Sequence, residues 1–145
     1  MSRRGGGGSG EWGVGLAVGL LALAACRMER AATVRIVEPA EGATIVGPSV
    51  RVVLQVTGME LAPASEQRPG TVHHHLFLDT ELTPPDDTIP AGVTGIIHLG
   101  RAQTEFSFDS VPPGPHRVIA YLADPWHVPV KPVAVDTVRF VVTRP

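Results

Sequence analysis

The chain has 145 residues, with 12 Lys and Arg against 14 Asp and Glu and a formal net charge of −2 at pH 7. No basic stripe marks a nucleic-acid partner, and 5% aromatic residues leave no large stacking platform for bases or sugars. A single cysteine excludes an intramolecular disulfide.

In chain order, Met1-Ser2-Arg3-Arg4 is a short basic start, followed by a glycine-rich stretch and an apolar run from Trp12 to Ala25. This is the layout of a secretory signal: positive charge, apolar segment, small residues before the cut. The run is shorter than the ~20 residues a spanning helix needs. It closes on Leu23-Ala24-Ala25-Cys26, which resembles a bacterial lipobox. That resemblance implies cleavage before Cys26, diacylglycerol on its sulfur and acylation of the new amine. The alternative is an ordinary signal peptide with an incidental cysteine. Arg27 replaces the aspartate that tends to retain such proteins in the inner membrane, so the expected location is the outer membrane, facing the periplasm. Expected boundaries are a lipoprotein signal peptide over 1–25, an acylated tether over 26–32 and one domain over 33–145. Loss of Arg3, Arg4 and Glu11 leaves ten basic and thirteen acidic residues, a net charge of about −3.

After Cys26 the pattern is all-β. Val34 and Ile36 flank Arg35 as a short alternating strand, and Glu38-Pro39 and Glu41-Gly42 read as a turn. Val50, Val52, Leu54 and Val56 form the apolar face of a period-two strand. Another runs through the histidines to Leu78, and a weak one lies near Gly95 to His98. Phe106 and Phe108 point inward from the next, Val118, Ala120 and Leu122 from a strand over His116 to Asp124, and Val138, Phe140 and Val142 from the last. About seven short strands punctuated by turns predict an immunoglobulin-like antiparallel β-sandwich, polar outside and apolar inside. Val52, Leu54, Phe106, Phe108, Val118, Leu122, Val138 and Phe140 are expected to share one core. Two longer loops, Gly58 to Thr71 and Thr80 to Thr94, interrupt the spacing, and loops of that length are often functional.

Half of the six histidines form one triplet, His73-His74-His75. Imidazole is the commonest protein metal ligand. Alternation along a strand puts Val72, His74, Leu76 and Leu78 on one side and His73, His75, Phe77 and Asp79 on the other. The first side is the more apolar, so His74 is expected to be the most buried of the three and bonded to backbone. His73 and His75 are expected to project together, more accessibly, and close enough to share an ion. Their candidate co-ligands are His98 and His127, with Asp79 and Asp124 as carboxylates. Gln103 and Glu105, at the head of a strand, either orient His98 or are simply edge-strand polarity. His116, after a Pro-Gly turn, is expected to bond backbone at a corner. Trp126 either anchors a partner or caps the core.

His73-His74-His75-Leu76-Phe77-Leu78-Asp79-Thr80 resembles the hallmark of small bacterial secreted domains known as domain of unknown function 4399. Ile89-Pro90-Ala91, His98-Leu99-Gly100, Gln103-Thr104-Glu105, Pro113-Gly114-Pro115-His116, Asp124 and His127-Val128-Pro129 follow in the same order. The resemblance spans about Ile36 to Val142 and implies no established activity. Two positions depart from it: Arg101-Ala102 stand where glycine is usual, and Val130 where a further histidine is often found.

No nucleophile-elbow sequence surrounds Ser107 or Ser110, and an enzyme is not expected. The leading expectation is a non-catalytic cell-envelope lipoprotein module that binds another envelope protein or polymer. The alternative is a periplasm-facing lipoprotein that binds Cu(II) or Zn(II) through the histidine cluster, imidazole and carboxylate suiting those ions better than Cu(I).

Overall fold

A computed structural model describes residues 31–145. The signal segment over 1–25, the lipidation candidate Cys26 and most of the tether lie outside the described residues.

Nine strands build two sheets: β1 (Thr33–Glu38), β2 (Ala43–Val46), β3 (Val50–Thr57), β4 (Glu60–Leu61), β5 (Thr71–Leu78), β6 (Ile96–Leu99), β7 (Glu105–Phe108), β8 (Gly114–Ala123) and β9 (Val135–Thr143). The smaller sheet has the order β1-β3-β7, antiparallel throughout. The larger runs β2-β9-β8-β5, and the far edge of β5 is shared by β4 and β6. Between β1 and β2 the chain crosses from one sheet to the other, and β2 lies parallel to β9. Two facing sheets with an antiparallel core of strands make this an immunoglobulin-like β-sandwich.

Every strand read from periodicity is present, including the weak one, which is β6. Two more, β2 and β4, and a 3-10 turn at Ala64–Glu66 are additional. β2 has only four residues, bracketed by Gly42 and Gly47, whose φ of 75° and 92° suits glycine. Such a segment is too short to show a period. β4 has two residues and the 3-10 turn three, and both sit inside the long 58–71 loop.

The main core lies between the sheets. Val52, Leu54, Val118, Leu122, Val138 and Phe140 are buried there, as expected, together with Val34, Ile36, Leu76 and Leu99. Phe106 and Phe108 are only partly buried against it, because β7 is the outer strand of the small sheet.

A second apolar cluster matters more for function. Ile119, Tyr121 and Ala123 on β8 and Phe77 on β5 turn outward from the large sheet. They are buried with Ile89, and Leu82 and Ile96 pack beside them. The 80–94 loop therefore folds over the outer face of β5 and β8. It is tied to the loop after β8 by the Ile89 amide donating to the His127 carbonyl at 2.9 Å, and by an ion pair between Lys131 and Asp86. The outer face of the large sheet, expected to be solvated, is covered at this end.

Candidate metal centre

β5 is flanked on both edges, by β8 and by β6, so its backbone polar groups are occupied by ladder bonds. Its side chains alternate as period two requires. Val72, His74 and Leu76 face the main core. The His74 Nδ1 donates to the Gln103 carbonyl at 3.0 Å, so His74 is a buried histidine held by backbone, as expected.

His73 and His75 face the other way, but they are not accessible. Their relative exposures are 0% and 2%, against 0% for His74. The alternation is right and the exposure is wrong, because the covering loops bury the outer face. No single-strand pattern reveals that a distant loop folds back over one side.

Two further histidines close over this pair. In the β5–β6 register His75 lies opposite His98. His73 lies opposite Ala123, the last residue of β8, and the turn after Ala123 delivers His127. Asp124 shapes that turn. Its Oδ1 accepts from the Trp126 amide at 2.9 Å and the Val128 amide at 3.0 Å, while the His127 amide donates to the Asp124 carbonyl at 2.9 Å. His127 takes a left-handed φ of 68° there, uncommon for a non-glycine residue. One ring nitrogen from each of His73, His75, His98 and His127 lies within 4.8 Å of the others. The Nε2 atoms of His73 and His75 are 2.9 Å apart, and those of His98 and His127 are 3.2 Å apart.

That spacing can hold a metal ion. A metal–nitrogen length of about 2.0–2.1 Å sets neighbouring ligand nitrogens ~2.9 Å apart in a square plane and ~3.3 Å apart in a tetrahedron. Both Nε2 pairs fall at such separations. Without an ion, each close pair needs one N–H aimed at its neighbour's lone pair. With or without an ion on the Nε2 atoms, the Nδ1 atoms of His73 and His75 are buried without a hydrogen-bond partner, as is the Nε2 of His74, and this costs stability.

A family model, Domain of unknown function (DUF4399), matches residues 52–143, from β3 through β9 and including all four histidines. The chain belongs to this family. No curated protein matches it significantly. Among solved structures, it is similar to fibronectin(III)-like modules of Clostridium thermocellum CbhA, with 14% identity, TM-score 0.48, and 77% of this chain and 98% of that one covered. It is also similar to the PKD domain of human KIAA0319, at 13% identity, TM-score 0.41 and coverages of 95% and 93%. A third likeness is to an engineered protein, at 12% identity and TM-score 0.48; 79% of this chain is covered but only 21% of that one.

The other residues singled out in this DUF4399 domain go elsewhere. Asp79 accepts from the His116 Nδ1 at 2.6 Å and from the Arg117 amide at 2.8 Å. The His116 Nε2 donates to the Pro112 carbonyl at 2.7 Å, so His116 pins the corner at the start of β8. Gln103 holds the Arg101 amide through Oε1 at 2.7 Å, and Glu105 pairs with exposed Arg51. Neither carboxylate candidate, Asp79 or Asp124, belongs to the histidine group. Trp126, at 49% exposed, does not cap the core.

Burial, and then the neighbouring imidazoles, push the pKa of His73 down to about 3 and of His75 down to about 2. Both therefore stay neutral, and able to ligate, well below the ordinary histidine value near 6.5. The sign for stability follows. Below about 6.5 the unfolded chain protonates these two residues and the folded one does not, so the metal-free domain loses stability as pH falls from there toward about 3. His116 opposes this. Desolvation lowers its pKa, but the Asp79 and Pro112 bonds and the Asp79 charge together raise it. Its contribution is full below the unfolded value and fades as pH rises through the raised one. Urea denaturation at stepped pH should show a fall in stability below about 6.5 that becomes clearly shallower when both His73 and His75 are alanine, the remainder coming from His74 and His98, whose pKa values burial also lowers. An unchanged acid profile in that variant would assign the fall to other groups.

Sequence reasoning missed Gly100. The His98 ring lies directly over it: a Cβ on Gly100 would come 2.5 Å from the His98 Nε2 and 3.1 Å from the Nδ1. Only a bare Cα leaves room for that ring position. Its place two residues after a candidate ligand, in His98-Leu99-Gly100, was the available signal. Gly100→Ala should push the His98 ring out of the cluster and weaken metal binding by roughly the ~10–100-fold typical of changes around a ligand, with little change in the thermal melt of the metal-free protein. Equal affinity in both proteins would show that the ring does not depend on this seat.

Proposed function

We propose that this domain binds one Cu(II) or Zn(II) ion through His73, His75, His98 and His127. The carrying observation is the convergence of four imidazole nitrogens, from β5, β6 and the turn after β8, within 4.8 Å. Nitrogen donors of this kind suit Cu(II) and Zn(II). Four protein donors fit a role in holding the ion, rather than the three donors plus water of catalytic zinc, and the domain is accordingly a binding protein and not an enzyme. Calorimetric titration of the purified protein should give one-to-one binding at micromolar affinity or tighter. Trp126 is the only tryptophan after the leader and adjoins His127, so its fluorescence gives a second readout. Binding of neither ion would end this reading.

The setting proposed for that activity is the outer membrane, with the domain held by a lipid on Cys26 and facing the periplasm. Its support is the basic start, the apolar run and Leu23-Ala24-Ala25 before the cysteine. Mass spectrometry of membrane-extracted protein should show a mature chain beginning at lipidated Cys26. An unmodified Cys26, or a chain still starting at Met1, would refute it. Docking on another envelope component is the second reading. Half-exposed Trp126, on the same turn as His127, favours it, since aromatic residues of this kind anchor interfaces.

A further inference from the structure

The metal reading leaves the charge of the loaded centre unbalanced. All four donors are imidazoles, neutral when they ligate, and no carboxylate among the described residues joins the group. Asp79 is committed to His116 and Arg117, and the Oδ1 of Asp124 to two backbone amides. A divalent ion held here keeps its full double positive charge. The floor of the site is dry, formed by His73 and His75 and walled by the apolar cluster under the 80–94 loop. Its mouth is wet: His98 is exposed and His127 half-buried. An uncompensated charge beside a dry floor is costly, and the bound ion is the largest local charge in such a site. The open side beside His98 is where a further group can reach the ion and offset that charge.

We infer that the loaded centre takes a small monovalent inorganic anion, of the chloride or azide class, as an additional ligand on its solvent-facing side beside His98. This rests on the metal reading above, and the test separates the two. The purified protein is loaded with one equivalent of Cu(II), and retention of copper after dialysis is measured first. Sodium azide is then titrated in chloride-free buffer. The expected result is a saturable azide-to-copper charge-transfer band in the near ultraviolet with a matching change in the electron paramagnetic resonance spectrum, and chloride should compete for it. The variant lacking His73 and His75, at the same copper and azide concentrations, should give no such saturable band. Copper retained one-to-one with a spectrum indifferent to azide overturns the anion proposal and leaves the metal reading standing. Failure to retain copper overturns the anion proposal, and the metal reading falls with it only when Zn(II) is not retained either. An identical band in the variant assigns the signal to adventitious copper and overturns the proposal.

Discussion

Replacing His73 and His75 together by alanine should abolish one-to-one binding of Cu(II) and Zn(II), a loss well beyond the ~10–100-fold expected from changes around a ligand. These two residues form the floor of the site, with side chains fixed on the covered face of a strand bonded on both edges. Without them only His98 and His127 remain, at the mouth and without a third donor. The same double substitution should cost the metal-free protein less than two ordinary large-to-small core changes, because it also removes the unpartnered Nδ1 atoms. His74→Ala should do the reverse. It too removes an unpartnered nitrogen, the buried Nε2, but it opens space in the main core and strands the Gln103 carbonyl, so it should still lower stability, toward the lower end of about 2–5 kcal/mol, while metal affinity, measured well below the melt, holds. Calorimetry and urea denaturation on the three proteins check both halves. Wild-type affinity in the double variant, or lost binding with intact stability in His74→Ala, would reverse the assignment of faces.

That assignment shows what period-two reading can and cannot do. Alternation along 72–79 correctly placed His73 and His75 together and His74 apart, because side-chain direction on a strand is a local property. It also ordered the main core, where Val52, Leu54, Val118 and Leu122 are buried as expected. Exposure is not local. Ile89 and Leu82 cover the outer face from a loop that shows no period, so both ligand candidates on β5 were expected at the surface. Convergence was not readable either. His98 reaches His75 through strand register, and His127 reaches His73 through an Asp124 turn whose left-handed residue is a histidine. The acidic candidates failed for a related reason. Asp79 and Asp124 stand close to the histidines in sequence, but their oxygens are used by His116 and by backbone amides. Short bracketed segments such as β2 stayed invisible because four residues make too few alternations to count.

Phe140→Ala should be among the most damaging changes in the main core, costing about 3–5 kcal/mol out of the ~5–15 kcal/mol that holds a typical domain. Phe140 is 2% exposed and sits in the middle of β9, which is paired with β2 on one side and β8 on the other. Its ring packs in the main core and approaches the His116 ring to 5.7 Å between centroids. Truncation leaves a cavity that two ladder-bonded neighbouring strands cannot collapse to fill. Phe108→Ala, expected from sequence to be its equal, should cost distinctly less. Phe108 is partly exposed on β7, the outer strand of the small sheet, where solvent reaches the vacated space. Urea denaturation of both variants tests the ranking. Metal affinity in Phe140→Ala, measured where the variant is still folded, should match wild type, since Phe140 lies on the face of the large sheet opposite the histidine cluster. Equal costs for the two phenylalanines would mean that β7 is more firmly packed than its exposure indicates. Weakened metal binding in folded Phe140→Ala would mean that the two faces of the large sheet are mechanically coupled.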